Sequence, residues 1–166
     1  MLCLAYGSNM ATQRVTARIP AQYRATARID GYRLAFEQAS HDGSSKCTIV
    51  PATKNDKVYG VVWEVAEKDK PTLDGYEGLG EAYSETWLDA TDINTDTPLR
   101  VQVYIGNHPI HDVAPYDWYK HHVISGAREF SFPADYIAAI DGIVAKTDPD
   151  SQRSEQEWAL YQGAAT

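Results

Sequence analysis

At 166 residues the chain has the length of one domain, enough to bury about two thirds of the surface its unfolded form exposes. Its formal charge is 15 − 23 = −8, which argues against nucleic acid or an anionic membrane as a partner. No run approaches the roughly 20 apolar residues of a membrane span. The first residues read as part of the fold rather than as an export signal, so the cytoplasm is the default expectation. Cys3 and Cys47 are too few for a disulfide framework, and both lie in apolar strand-like runs, where buried free thiols are expected.

Taken in order, Leu2 to Tyr6 reads as a short apolar strand that Gly7 breaks. Ser8 or Asn9 is expected to cap a helix over Met10–Arg18, stopped by Pro20. A strand that ends in Gly-Ser-Asn and opens a helix leaves several backbone N–H groups unpaired, an arrangement that attracts an anion. The loop is neither Gly-x-x-x-x-Gly-Lys-Ser/Thr nor Gly-x-Gly-x-x-Gly, so no nucleotide site is indicated. Strands are expected over Ala25–Ile29 and Tyr32–Gln38, with Asp30-Gly31 as a hairpin turn between them. A polar loop follows over His41–Lys46, then a strand over Cys47–Val50 ended by Pro51, and a turn at Asn55-Asp56. Val58–Val65 has the highest strand propensity in the chain, and Gly60 within it suggests a bulge or a close backbone approach.

Ala66–Tyr76 reads as a short helix with Asp69 as its cap and Pro71 in its first turn. Gly75 and Gly78 bracket its end, which places Glu77 at a helix terminus ahead of Gly78-Leu79-Gly80. Strands over Ala82–Ala90 and Pro98–Gly106 flank the polar run Thr91–Thr97, and Asn107–Asp112 is a loop. Helices are expected over Pro115–Phe130 and Pro133–Ala145. A short helix follows Asp148, peripheral to the rest after about residue 147, with a frayed end at Gly163-Ala-Ala-Thr. Strands clustered between helices give a mixed α+β fold in one domain over 1–166.

The ordered set Tyr6-Gly7-Ser8-Asn9-Met10, Tyr59-Gly60-Val61-Val62-Trp63-Glu64, Leu73-Asp74-Gly75-Tyr76-Glu77-Gly78, Tyr83, Val103-Tyr104-Ile105, Tyr119, Gly126-Ala127-Arg128-Glu129 and Pro133-Ala134-Asp135-Tyr136 resembles the γ-glutamylcyclotransferase-like family. The resemblance spans about Leu2 to Ile140 and sharpens the fold to a mixed β-barrel with flanking helices. It departs from the family at Met10, where many relatives carry Leu, and around Tyr83-Ser84-Glu85, which lacks an expected basic residue.

The resemblance implies cleavage of a γ-glutamyl amide by internal attack. The α-amine of the substrate closes on its own γ-carbonyl, 5-oxoproline forms and an amine leaves, with no cofactor or metal. Holding such a geometry is worth roughly 7–11 kcal/mol. It further implies that Glu77 carries the proton from the α-ammonium to the leaving nitrogen. An unperturbed Glu near pKa 4.3 and an α-ammonium near 8 are mismatched by about 5 kcal/mol, so Glu77 is expected in a partly dry pocket that raises its pKa, with Asp74 and Glu81 pushing the same way. Residues 6–10 are expected to grip the substrate, facing either its carboxylate or the oxyanion that develops on the γ-carbonyl. Tyr83, Tyr104 and Tyr119 fall where the family places pocket tyrosines. A small γ-glutamyl compound is the expected partner, and the oligomeric state stays open, a homodimer included.

Other chemistries are weaker. His108-Pro109-Ile110-His111 lacks supporting ligand spacing for a metal, and His121-His122 is expected on a helix surface. No Ser-His-Asp arrangement or calcium loop can be argued. Alternatives for the whole chain are γ-glutamyl removal from a biosynthetic intermediate by the same chemistry, a non-catalytic small-molecule binder, and a purely structural or interaction domain.

Overall fold

The computed structural model describes residues 1–162; the expected frayed end at Gly163–Thr166 lies outside them. Five strands close a barrel in the order β1 (Leu2–Ala5), β5 (Lys57–Val65), β2 (Ala21–Asp30), β6 (Tyr83–Asp92), β7 (Pro98–Gly106). Neighbours run antiparallel except at the closure, where β1 meets β7 parallel through Cys3 and Gln102. The barrel is therefore mixed. Closure leaves it no free edge, the usual hazard of an open sheet.

β5 is the strand most completely enclosed. Val58, Val61, Val62 and Val65 are fully buried and Trp63 nearly so, because one face of the strand fills the barrel and the other lies under helices. Gly60 answers to a close approach: a Cβ there would sit 2.5 Å from Leu4 Cδ2 and 2.6 Å from the Ala5 carbonyl oxygen on β1.

The chain leaves the barrel at Asp30-Gly31 for a separate two-stranded sheet, β3 (Tyr32–Ala39) with β4 (Ser45–Pro51). The turn forms as expected, with Gly31 at φ +81°, but it does not make a hairpin, since β2 pairs with β5 and β6 instead. The reason lies in the Gly31 backbone. Its N–H donates to Asp56 O and its carbonyl accepts from Ala52 N, which ties the turn to the β4–β5 loop and swings β3 away from β2.

The expected helix after residue 9 is broken in two. Ser8–Met10 forms a 3₁₀ turn, Ala11 is extended, and α1 covers Thr12–Thr16 alone. Neither Ser8 nor Asn9 caps it. Tertiary contact decides the break: Met10 is fully buried, and a Cβ at Gly126 would lie 2.5–2.7 Å from Met10 and Ala11 main-chain and Cβ atoms. The loop is pressed against the glycine face of α3 (Asp117–Glu129), and a continuous helix would lift Met10 out of that contact.

α2 (Lys70–Glu77) starts four residues later than the expected Ala66, with Asp69 at the cap position but without a side-chain cap bond and Pro71 in its first turn, and ends on Gly78 at φ +63°. α4 (Ala134–Asp141) and α5 (Ser151–Ala159) complete the helical layer. No helix among the described residues is long and apolar enough to cross a membrane.

His122 is a correction to the expectation of surface histidines, because its side chain is buried. It lies between α5 and the chain beyond it: Nε2 is 2.9 Å from Glu157 Oε2 and Nδ1 is 2.6 Å from the Tyr161 hydroxyl. Arg14 also pairs with Glu157. With the Glu157 charge met by Arg14, His122 is satisfied as a neutral ring, Nε2–H donating to the carboxylate and Nδ1 accepting from Tyr161. Burial holds His122 down at about 4. Burial pushes Glu157 up, but hydrogen bonds from His122 and Arg14 prevail and hold it at about 2.

Both groups bind protons more weakly folded than unfolded, so their stabilisation is complete above about pH 6.5 and declines on acidification, His122 first and Glu157 below about pH 4.3. Urea unfolding followed from about pH 7 to pH 4.5 will show falling stability, and His122→Gln will flatten that slope. An equally steep slope in the variant would assign the acid sensitivity to other groups.

Candidate active site

The loop after β1, the end of α2, β4 and α3 converge on one cleft beside the barrel. Its walls include Tyr6, Gly7, Ser8, Asn9, Cys47, Trp63, Glu77, Tyr83, Tyr104 and Tyr119. The space between these walls, open mouth included, is about 560 Å³.

Among the described residues that line the cleft, Glu77 is the one Asp, Glu, Lys, Arg or His. It reaches the cleft as the last residue of α2, where Gly78 turns the chain away. Asn9 Nδ2 donates to Glu77 Oε1 at 2.7 Å. Burial pushes the Glu77 carboxyl above the usual carboxylate range, against the pull of Arg18, the Asn9 hydrogen bond and Arg14, with Asp74 adding a push upward. Glu81 takes no part. It is exposed and pairs with His41.

Opposite Glu77 is the loop itself. Met10 N–H donates to Gly7 O, which closes the 3₁₀ turn, while the N–H groups of Gly7, Ser8 and Asn9 have no acceptor among the described residues. Three consecutive unpaired donors beside a mostly apolar cleft form a seat for a carboxylate or a developing oxyanion. The Trp63 indole N–H donates to Asn9 O at 2.9 Å and holds the turn against β5. Gly7 has little freedom to be anything else: a Cβ would stand 3.1 Å from Cys47 Cβ and 3.2 Å from the Tyr119 hydroxyl.

The tyrosines have separate tasks. Tyr119 accepts the Cys47 N–H at 2.9 Å and Tyr83 donates to the Cys47 carbonyl at 2.8 Å, so the two hydroxyls pin β4 to the cleft through the main chain of one residue. Lys46 beside it lies 4.6 Å over the Trp118 ring and 4.7 Å over the Tyr119 ring, a further tie between β4 and α3. Tyr6 donates to the Tyr104 carbonyl. The Tyr104 hydroxyl donates to Asp74 Oδ1 at 2.6 Å and so ties this wall of the cleft to α2. Met10 does not line the cleft. It is core, and it shapes the loop from behind.

Sequence reasoning did not single out Arg18, whose Nη1 donates to Asn9 Oδ1 at 3.0 Å, nor Lys70, which pairs with Asp74 and with Glu85 Oε2 at 2.8 Å. The Lys70–Asp74 pair has the i,i+4 spacing of one helix face and was open to sequence reasoning; the Lys70–Glu85 and Arg18–Asn9 contacts join separate segments, and no spacing signals them. Among the described residues no cluster of three His, Cys, Asp or Glu is placed to hold a metal.

The profile of the AIG2-like family matches residues 57–140, half of the chain, from β5 through Glu77 to the end of α4. The chain belongs to the AIG2-like family. Its curated relatives carry the name γ-glutamylcyclotransferase: the Bos taurus protein is 25% identical over 172 residues, covering 99% of this chain and 89% of its own. The Homo sapiens protein is 27% identical over 150 residues, covering 86% and 78%. A solved γ-glutamyl cyclotransferase superposes with a TM-score of 0.81 at 23% identity over 95% of this chain and 98% of its own. The AIG2-like chain thus has the γ-glutamylcyclotransferase-like fold, with the expected mixed barrel and flanking helices.

The cleft thiols are buried and free. Burial pushes Cys3 up to about 11 and Cys47 up to about 12. The thiolate is the reactive form, so at pH 8 neither cysteine will react with an aromatic disulfide reagent in the native protein, and both will react after unfolding. Rapid native labelling of Cys47 would reveal a nucleophile where a structural thiol is expected.

Proposed function

We propose that this chain is a γ-glutamylcyclotransferase: it closes the γ-glutamyl part of a small amide into 5-oxoproline and releases an amine or amino acid. The observation that carries the reading is the pairing of one half-buried carboxyl, Glu77, with the unpaired N–H groups of Gly7, Ser8 and Asn9 across one small cleft. The names of its curated relatives support it.

The two sides suit the two ends of the reacting unit. A γ-glutamyl head is a zwitterion. Its α-carboxylate fits a row of backbone N–H donors, and its α-ammonium fits a carboxylate. Glu77 takes a proton from the ammonium, and the freed amine attacks the γ-carbonyl carbon. The new C–N bond closes a five-membered ring and leaves an oxyanion on the former carbonyl oxygen. Glu77 then gives its proton to the leaving nitrogen, the amide C–N bond breaks, the carbonyl re-forms, and the ring nitrogen gives up its second proton through Glu77 to the released amine. Of the three ammonium protons, one stays on the lactam nitrogen and two pass through Glu77 to the leaving nitrogen. Burial fits Glu77 for both steps, since a raised pKa narrows the gap to the ammonium. Tyr83 and Tyr119, fixed on Cys47, keep the far wall in place, and the apolar lining of Leu4, Trp63 and Leu73 favours a ring-folded substrate over a hydrated, extended one.

Incubation with a panel of γ-glutamyl amino acids and amines will release 5-oxoproline from at least one, and Glu77→Gln will lower kcat by about 10²–10⁴. The wild-type rate will fall on acidification with a midpoint above about 4.3, because protonation of Glu77 removes the base. A carboxyl with a raised folded pKa destabilises the fold once ionised, so Glu77→Gln will be at least as stable as wild type at neutral pH. Unchanged turnover in the variant would remove Glu77 from the chemistry.

A further inference from the structure

Arg18 is the least explained charge near the cleft. It is half-buried, and no carboxylate among the described residues lies within ion-pair distance of it. Its guanidinium stacks 5.0 Å over the Tyr76 ring. Its one hydrogen bond within the described protein goes to the side-chain oxygen of Asn9. A partly buried cation with no carboxylate in contact, Glu77 facing it only at longer range, is weakly compensated. Such a feature belongs where function uses it. Arg14, one turn earlier, makes the contrast: it is neutralised by Glu157.

What Arg18 touches is the orientation of an amide. A carboxamide has one accepting and one donating end, and the two can exchange by a flip. If Asn9 flipped, its oxygen would face Glu77 Oε1 and repel it whenever Glu77 is ionised. Arg18 has no acceptor atom, so only the unflipped amide satisfies it. The Asn9 main chain is already fixed by Trp63, and the residue is buried, which leaves the flip as its one remaining freedom.

We propose that Arg18 is a positioning residue for Glu77: by holding Asn9 Oδ1 it locks the Asn9 NH₂ group onto Glu77 Oε1 and leaves Oε2 to face the substrate. The assignment rests on the reading of Glu77 as the proton carrier, but the geometry it predicts is testable without substrate. The charged and titratable groups that face Glu77 are Arg18 and Arg14 from the α1 segment, Asp74 from its own helix, Tyr6 just after β1, and Tyr83 and Tyr119 from β6 and α3. Of these, Arg18 alone touches the residue that bonds to Glu77.

The test is an NMR titration of protein carrying carbon-13 in its Glu carboxyls and nitrogen-15 in its Asn side chains, with Glu77 assigned by its loss in Glu77→Gln. In wild type the Asn9 NH₂ resonances will shift with the same midpoint as Glu77. In Arg18→Met the Glu77 midpoint will rise by about one pH unit, the lower end of what one neighbouring charge does, and the Asn9 resonances will lose that coupling. The acid limb of kcat/KM will move up in step. Arg18→Lys, which keeps the charge and a donor, will restore most of kcat. An unchanged Glu77 midpoint in folded Arg18→Met would overturn the assignment. If Arg18→Met does not fold, the wild-type titration decides alone: Asn9 resonances that ignore the Glu77 midpoint would also overturn it. Failure of wild type to turn over any γ-glutamyl compound would instead sink the proposed function, while the titration would still decide the role of Arg18.

Discussion

Asn9 and Glu77 stand 68 positions apart in the chain and 2.7 Å apart in the fold. The burial of that carboxyl is the constraint to which much of the surrounding structure answers. An ionised carboxylate is strongly disfavoured in a dry cleft unless it is hydrogen-bonded and faced by opposite charge. Asn9 provides the bond and Arg18 and Arg14 the charge, yet burial still outweighs them in setting the direction of the pKa. The result is a carboxyl that is held in place and remains a better base than a solvated one.

The elements around the pair can be understood as what keeps it in register. Trp63 fixes the Asn9 carbonyl from β5, Gly126 lets Met10 sink against α3, and Gly78 ends α2 so that Glu77 is its last residue. β4 is fastened across the cleft by two tyrosine hydroxyls on the Cys47 main chain. These attachments use backbone groups, which side-chain substitution elsewhere leaves intact. The C-terminal helix contributes at one remove. Its Glu157 neutralises Arg14 and buries a neutral His122, which secures the segment that carries Arg18.

Much of this was legible in the sequence, and the misses share a cause. β5, β7 and α2 emerge from local pattern because their residue choice and their tertiary environment agree: β-branched runs in a doubly covered strand, Asp69-Lys70-Pro71 at a helix start, Gly78 at its end. The Tyr-Gly-Ser-Asn loop and Glu77 were visible as a pair only through the family resemblance, since no periodicity links positions so far apart. The helix expected from Met10 failed because contact with Gly126 outweighs local propensity. The Asp30-Gly31 turn was right and its hairpin wrong, because pairing partners are chosen by the Gly31 bonds to residues 52 and 56. His122 looked like a surface residue because its partners, Glu157 and Tyr161, come from a segment whose packing leaves no trace in the α3 sequence. Arg18 was passed over for the same reason: its meaning lies in one bond to an amide in another element.

In the proposed reaction the amide is broken by the substrate's own amine and not by water. This is tested most directly by running the reaction in oxygen-18 water and identifying the product by mass. Internal attack predicts 5-oxoproline with no heavy oxygen and an amine released in equal amount. Glutamate carrying one oxygen-18 would mean that the cleft activates water instead, and the account of Glu77 as a proton carrier for cyclisation would be wrong.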